Sequence, residues 1–144
     1  MTNEEKQLLL NDLCGRLPYE VKVDHFGVTR DLLGVIPSSF PSEIVMVGYD
    51  INDYEDSVIE DIKPYLRPMS SMTDGEREEW ADKFNLAMDE LSSILDEKEA
   101  EDAAPYMFAK SHFTSIDWLL AHHFDFRGLI EKGLALEAPK GMYK

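Results

Sequence analysis

The chain has 144 residues, with 14 Lys and Arg against 29 Asp and Glu, one Cys and 44% hydrophobic residues. This length and composition suit a single globular domain and exclude a disordered chain, a disulfide scaffold and a collagen. No stretch approaches the ~20 apolar residues of a membrane helix, and the polar start lacks the pattern of a signal peptide. Because one Cys cannot form an internal disulfide, we expect a cytoplasmic protein.

The formal net charge of −15 is concentrated in the middle of the chain. Residues 50–102 carry 18 acidic and 5 basic side chains, a net charge of −13, whereas residues 1–49 carry −3 and residues 103–144 carry +1. An acidic block of this kind repels nucleic acid and anionic lipid, so we expect no direct nucleic-acid binding and no membrane binding. It is either a solvated surface or a docking face for a basic protein partner, which includes mimicry of nucleic acid.

The first elements follow from local patterns. Thr2 and Glu5 form a capping box, and apolar residues then recur at helical spacing, which predicts a helix within residues 1–17. Cys14 falls on the apolar side of this pattern, so we expect it to be buried as a small hydrophobic residue.

Residues 18–62 change to a period of two, which is typical of half-buried strands. The pattern predicts strands near residues 19–24, 28–36, 43–49 and 57–60. They would form a small antiparallel sheet or an SH3-like open barrel. Parallel pairing is not expected, because no helical crossover separates these strands.

Prolines at positions 64 and 68 predict a Pro-rich connector over residues 63–73 that leaves the sheet. A second capping box, Thr73 with Glu76, begins an amphipathic helix over residues 74–98, and Asp125 is expected to cap a last short helix through Lys132. Residues 74–144 would therefore be the helical part of one α+β domain, 1–144, in which sheet and helices share a core.

Three segments carry a resemblance: EEKQLLLNDLCGRLPY at residues 4–19, KPYLRPMSSMT at 63–73 and HHFDFRGLIEKGLALEAP at 122–139. They resemble a family of small uncharacterised proteins from gut Bacteroidales bacteria and their phages. The resemblance implies a protein linked to a phage or another mobile element, and a location in the producing bacterium or an infected host. It implies no established activity, so no catalytic or binding residue is carried over.

Two groups of residues are candidates for ligand chemistry. His112, His122, His123 and Asp125 are types that bind divalent metals, but their spacing matches no known metal motif, so we predict no bound metal and no cofactor. Arg67 and Arg127 are candidates for gripping a phosphate or a base, although single arginines in such a setting are more often structural.

The sequence therefore favours a non-catalytic acidic interaction protein of a phage or mobile element, an inhibitor or adaptor that binds a host protein. Glu78, Glu79 and Asp82 are expected on the solvent side of the acidic block, where they would contact a basic partner. Two alternatives stay open: a protein that sequesters a small ligand or nucleotide, and a metal-dependent enzyme that uses the His112, His122, His123 and Asp125 region. A homo-oligomer is compatible with each of these functions.

Overall fold

The computed structural model describes residues 1–36, 44–50, 52–83 and 114–143. It shows an α+β protein with an N-terminal helix, a mixed sheet of seven strands and further helical stretches at residues 74–83 and 114–121. The chain divides into two compact units. The first comprises Met1–Met69 with His123–Lys144, and the second comprises Ser70–His122. The single shared core stays a prediction, and residues 84–98 of the predicted second helix lie outside the described residues.

Helix α1 spans Asn3–Arg16, and the predicted capping box at its start is confirmed. The Thr2 hydroxyl accepts from the Glu5 amide at 3.1 Å, and the Glu5 carboxylate accepts from the Thr2 amide at 3.2 Å. These bonds satisfy two of the amides that a helix start leaves without intrahelical partners.

The prediction for Cys14 is wrong, because its side chain is exposed. The buried face of α1 is instead formed by Leu9, Leu10, Asp12, Leu13 and Arg16. The polar pair widens that face on the side away from Cys14, which therefore lies beyond its border. Although the side chain is exposed, it is partly desolvated by its neighbours, and this desolvation raises the pKa of the Cys14 thiol. Little reactive thiolate therefore forms at neutral pH.

The sheet contains seven strands in the order β4-β3-β2-β1-β5-β6, with β7 also paired to β5. The strands are β1 Lys22–His25, β2 Val28–Ile36, β3 Ile44–Asp50, β4 Asp53–Val58, β5 Ile62–Pro68, β6 Phe124–Asp125 and β7 Leu136–Glu137. Strands β1 to β4 pair antiparallel with their sequence neighbours, as expected for strands with no helical crossover between them. The fourth strand begins and ends earlier than expected, because Ile59–Asp61 forms a 3-10 turn.

The predicted Pro-rich connector at residues 63–73 is wrong over its first half, which is strand β5. Its side chains at positions 62, 64 and 66 are buried in alternation with more exposed neighbours. Pro64 pairs with Val23 of β1, and the Arg67 amide donates to the His123 carbonyl at 2.8 Å. Each proline removes one donor but keeps a φ that suits extended chain, so burial of this face outweighs the lost hydrogen bonds.

The last third of the chain adds two strands that the sequence did not predict, and it differs there from the expected helix. Both β6 and β7 lie parallel to β5. Their long connections to β5 supply the crossover that β1 to β4 lack. The helix predicted from Asp125 to Lys132 is replaced by strand and turns, although the Asp125 carboxylate does accept from the Leu129 and Ile130 amides at 2.9 and 3.0 Å.

The sheet is strongly curled. His25 of β1 lies 3.4 Å from Glu55 of β4, although β2 and β3 separate these strands in the hydrogen-bonded order. In a flat sheet, strands three places apart would be about 14 Å from each other, beyond the reach of this pair. Register shifts between Leu32 and Gly34 and between Gly48 and Asp50 contribute to the curl, because bulges bend and twist strands.

The curled sheet and α1 enclose the core of the first unit. Its buried apolar residues are Leu9, Leu10, Leu13, Val21, Val23, Leu32, Val45, Val47, Ile59, Ile62, Leu66, Leu129, Leu134 and Ala135. The core thus draws on both ends of the chain, and it fixes the strands that carry the candidate site.

Tyr143 closes the junction of β1 and β5. Its hydroxyl accepts from the Lys22 amide at 2.8 Å and donates to the Tyr65 carbonyl at 2.7 Å. Lys22 and Tyr65 would be the next residue pair in register after Val23 and Pro64. The Tyr143 hydroxyl therefore bridges their backbone groups in place of a direct hydrogen bond between the strands. Burial raises the pKa of Tyr143 to about 12.

This raised pKa predicts a loss of stability at alkaline pH. The folded state holds the neutral phenol, so stability is complete below the unfolded pKa of about 10 and falls as pH rises toward 12, by about 2–3 kcal/mol. Tyr143→Phe should remove this dependence and cost about 1–3 kcal/mol at neutral pH, because two backbone groups lose their partner. Denaturant unfolding across this pH range measures both effects. Tyr49→Phe, at an exposed position, is the control. If wild type and Tyr143→Phe lose the same free energy of unfolding at alkaline pH, Tyr143 is not the group responsible.

Candidate protein interface

Strand β4 forms one end of the sheet and carries three of the six carboxylates of residues 50–61. Among the residues that the structure describes, β3 is its strand partner on one side, and its other edge has no strand partner. Asp53, Tyr54, Glu55 and Asp56 are exposed along it. An edge of this kind presents backbone donors and acceptors on which another extended chain can pair.

A cleft of about 360 Å³ lies beside β4. It is lined by His25, Phe26, Ile44, Glu55, Asp56, Ser57, Val58 and Asp61. All of these residues belong to the first unit, where the curl of the sheet brings the end of β1 close to β4. The cleft is therefore a product of tertiary structure rather than of any one sequence segment.

The two faces of β4 differ in chemistry. Glu55 and Ser57 pair with Val47 and Val45, which are fully buried, so this face turns toward the core. Glu55 lies 3.2 Å from the Arg30 guanidinium and 3.4 Å from the His25 ring, which hold it in place. Tyr54 and Asp56 have the opposite parity and lie on the outer face, and Asp56 also lines the cleft.

Exposed aromatic residues flank the acidic edge. Phe26 is 73% exposed and Tyr49 62% exposed, and Tyr54 on β4 is 45% exposed. Phe26 also adopts a left-handed backbone conformation, with a φ of 52°, in the turn between β1 and β2. A bulky residue rarely adopts this φ, and such strain is concentrated at functional positions. Aromatic residues are also enriched in the energetic centres of protein interfaces.

The three partner-binding residues predicted from sequence lie on the helical stretch 74–83 of the second unit. Glu78, Glu79 and Asp82 are all exposed. Glu79 also accepts a hydrogen bond from the Trp118 indole at 3.1 Å, so it has a structural role within that unit. A shallow hollow of about 400 Å³ lies over Asp74, Arg77, Glu78 and Ala81. This surface belongs to the second unit, and the β4 edge belongs to the first.

Arg67 and Arg127, which were predicted to bind a phosphate or a base, contact protein groups. The Arg67 guanidinium lies 4.1 Å from the centre of the Phe124 ring. The Arg127 guanidinium stacks 4.9 Å from the Phe126 ring and donates to the Asp12 carboxylate at 3.1 Å. These contacts favour structural roles for both arginines.

The predicted metal ligands have different surroundings. His122 stacks on Trp118 at 3.9 Å between ring centres, and His123 stacks on Tyr143 at 3.7 Å. The Asp125 oxygens accept from backbone amides, and His112 lies outside the described residues. Within the described parts of the chain, no group of three or more His, Cys, Asp or Glu residues is arranged to hold a metal ion.

One buried network was missed from the sequence. Asp12 and Arg16 are both 0% exposed and form a bidentate pair at 2.6 and 3.1 Å. The Arg16 guanidinium also donates to the Phe124 carbonyl at 2.7 Å, and Arg127 closes the network on Asp12. The spacing of four residues and the opposite charges were the available signal, but this pattern is far more typical of exposed helix surfaces.

Comparison of the chain with known protein families, curated proteins and solved structures finds no match in any of the three. No helix within the described residues is both long enough and apolar enough to cross a membrane.

Proposed function

We propose that this is a non-catalytic acidic protein of a phage or mobile element that binds a basic protein partner, as an inhibitor or an adaptor. The observation that supports it best is the acidic strand β4 with exposed aromatic residues beside it. Partner binding through charge and a few aromatic anchors requires only a rigid, complementary surface.

The charge on this surface is largely uncompensated. Residues 50–61 contain six carboxylates and no Lys or Arg. Two of the six are paired with cations, Glu55 with Arg30 and Glu60 with Lys6. Asp53, Asp56 and Asp61 are exposed and add negative potential near the cleft. A basic partner would be drawn to this region, and like-charged molecules would be rejected.

We further infer an SH3-like open barrel for the curled sheet. The strand order β4-β3-β2-β1-β5, with a 3-10 turn between β4 and β5, supports this arrangement. Such a scaffold would hold the β4 edge in one conformation. A rigid edge binds with a smaller entropic cost than a flexible segment that must order on binding.

The proposal predicts association that depends on salt and on charges within residues 50–102. The partner is recovered from producing or infected cells by affinity purification, identified by mass spectrometry and purified for kinetic measurements. Its association rate should fall as salt screens the surface, since the Debye length is about 8 Å at physiological ionic strength, while dissociation changes less.

Three variants with the same change in formal charge locate the surface. Asp53→Lys with Asp56→Lys alters the β4 edge, and Glu78→Lys with Asp82→Lys alters the helical face. Glu131→Lys with Glu137→Lys, at exposed positions outside the acidic block, is the matched control. At least one of the first two should slow association at low salt by about tenfold relative to the control. Salt-independent association, or equal rates for all three variants, would rule out the acidic-surface function.

A further inference from the structure

The edge of β4 is suited to one kind of occupant, and we propose that it binds an extended basic segment by adding that segment as a further strand. This inference rests on the proposed function and specifies how the partner is held. Strand addition takes its affinity from backbone hydrogen bonds and its specificity from alternate side chains.

The backbone of β4 supports pairing on its outer side. The strand is six residues long, from Asp53 to Val58, and β3 occupies its inner edge in the part of the chain that the structure describes. The β3–β4 register keeps β4 extended along this length apart from the shift near Gly48. A second extended chain would therefore meet a nearly regular row of donors and acceptors.

The side chains select a basic occupant over a second copy of this protein. Two β4 edges placed together would bring Asp53, Glu55 and Asp56 against the same three carboxylates, and charges on edge strands oppose such self-pairing. The same three carboxylates would attract a basic strand. The acidic edge therefore provides both affinity for one class of partner and rejection of another.

The two faces of β4 also indicate the order of side chains in that segment. On the outer face, Tyr54 and Asp56 together suit an Arg, which can stack on the ring and pair with the carboxylate. On the core-facing side, Glu55 is already paired with Arg30 and His25, so small hydroxyl side chains suit this face better than a further Arg. The expected occupant alternates Arg with Thr or Ser, and Phe26 lines the cleft as an apolar contact.

The test uses a fluorescent synthetic peptide of alternating Arg and Thr, about as long as β4, titrated against the full chain by anisotropy. Two N-methylated versions keep the charge but block alternate backbone amides, one version for each parity. If the peptide adds to β4, blocking the amides that face the strand should weaken binding by about tenfold or more, since each lost hydrogen bond costs about 0.5–1.5 kcal/mol. Blocking the other parity should leave the Kd nearly unchanged.

Protein variants locate the peptide. Asp53→Asn with Asp56→Asn should weaken binding, and Glu131→Gln with Glu137→Gln should not. Equal binding of the two N-methylated peptides would overturn strand addition while leaving the acidic-surface function intact. Retention of full affinity by the Asp53 and Asp56 variant would also overturn it, because the peptide would then be bound elsewhere.

Discussion

Replacing Asp12 by alanine is expected to lower the free energy of unfolding by about 3–5 kcal/mol, because it leaves a buried guanidinium without its counter-ion. Arg16 is 0% exposed, and among the residues that the structure describes its Nη1 atom has no hydrogen-bond partner. Arg127 would lose its contact with the same carboxylate. Denaturant unfolding measures the loss. The dependence of the unfolding free energy on denaturant concentration is compared between variants in the same experiment.

Two further variants separate lost charge pairing from general damage to α1. Asn11→Ala removes the exposed hydrogen bond with Gln7 on the same helix, and it should change stability by no more than about 0.5 kcal/mol. Combining Asp12→Leu with Arg16→Met should recover about half of the loss or more, since apolar residues of similar size often replace a buried ion pair without penalty. A cost below about 1 kcal/mol for Asp12→Ala would show that water reaches the pair.

Replacing Gly48 by alanine should destabilise the β3–β4 pairing by about 1–3 kcal/mol, the usual cost of inserting atoms into a packed site. A Cβ at this position would lie 2.3 Å from the Asp53 carbonyl oxygen and 2.5 Å from the Tyr54 Cα. Both contacts are to the backbone of β4, so the strand itself must move. Binding of a basic peptide to the β4 edge should weaken in the same variant.

Gly34→Ala is the matched control for this prediction. Gly34 also lies in the sheet, but its added Cβ would meet the Met46 sulfur at 3.1 Å, at the far part of a flexible side chain. We expect it to be close to neutral, because Met46 can adjust. Similar losses for the two variants would show that the cost comes from replacing glycine in a strand rather than from the close approach of β4.

The elements set by local pattern were predictable from sequence, and those set by distant contacts were not. The capping box at Thr2 and strands β1 to β3 follow from hydrogen-bonding groups and periodicity within a few residues, whereas the fourth strand was expected at residues 57–60 and lies at Asp53–Val58. Strand β5 was missed because its prolines carry a strong local signal against a sheet. Strands β6 and β7 are two residues each, and they exist only because β5 lies beside them.

The candidate site was predicted in charge but not in position. Composition alone identifies residues 50–102 as acidic, and the exposure of Glu78, Glu79 and Asp82 agrees with the expected solvent face. The cleft could not be predicted, because it depends on the curl that brings His25 next to Glu55. The unusual exposure of Phe26 likewise depends on a backbone conformation that sequence does not reveal for a phenylalanine.

The hydrogen bond from Arg16 to the Phe124 carbonyl spans 108 residues and therefore has a consequence for synthesis of the chain. At a translation rate of about 5–20 residues per second, Arg16 leaves the ribosome's catalytic centre about 5–20 s before its carbonyl partner is made. During that interval β5 also lacks both of its parallel neighbours, β6 and β7. The acidic charges of residues 50–61 are already present at that stage, and like charges on edge strands oppose pairing between neighbouring chains.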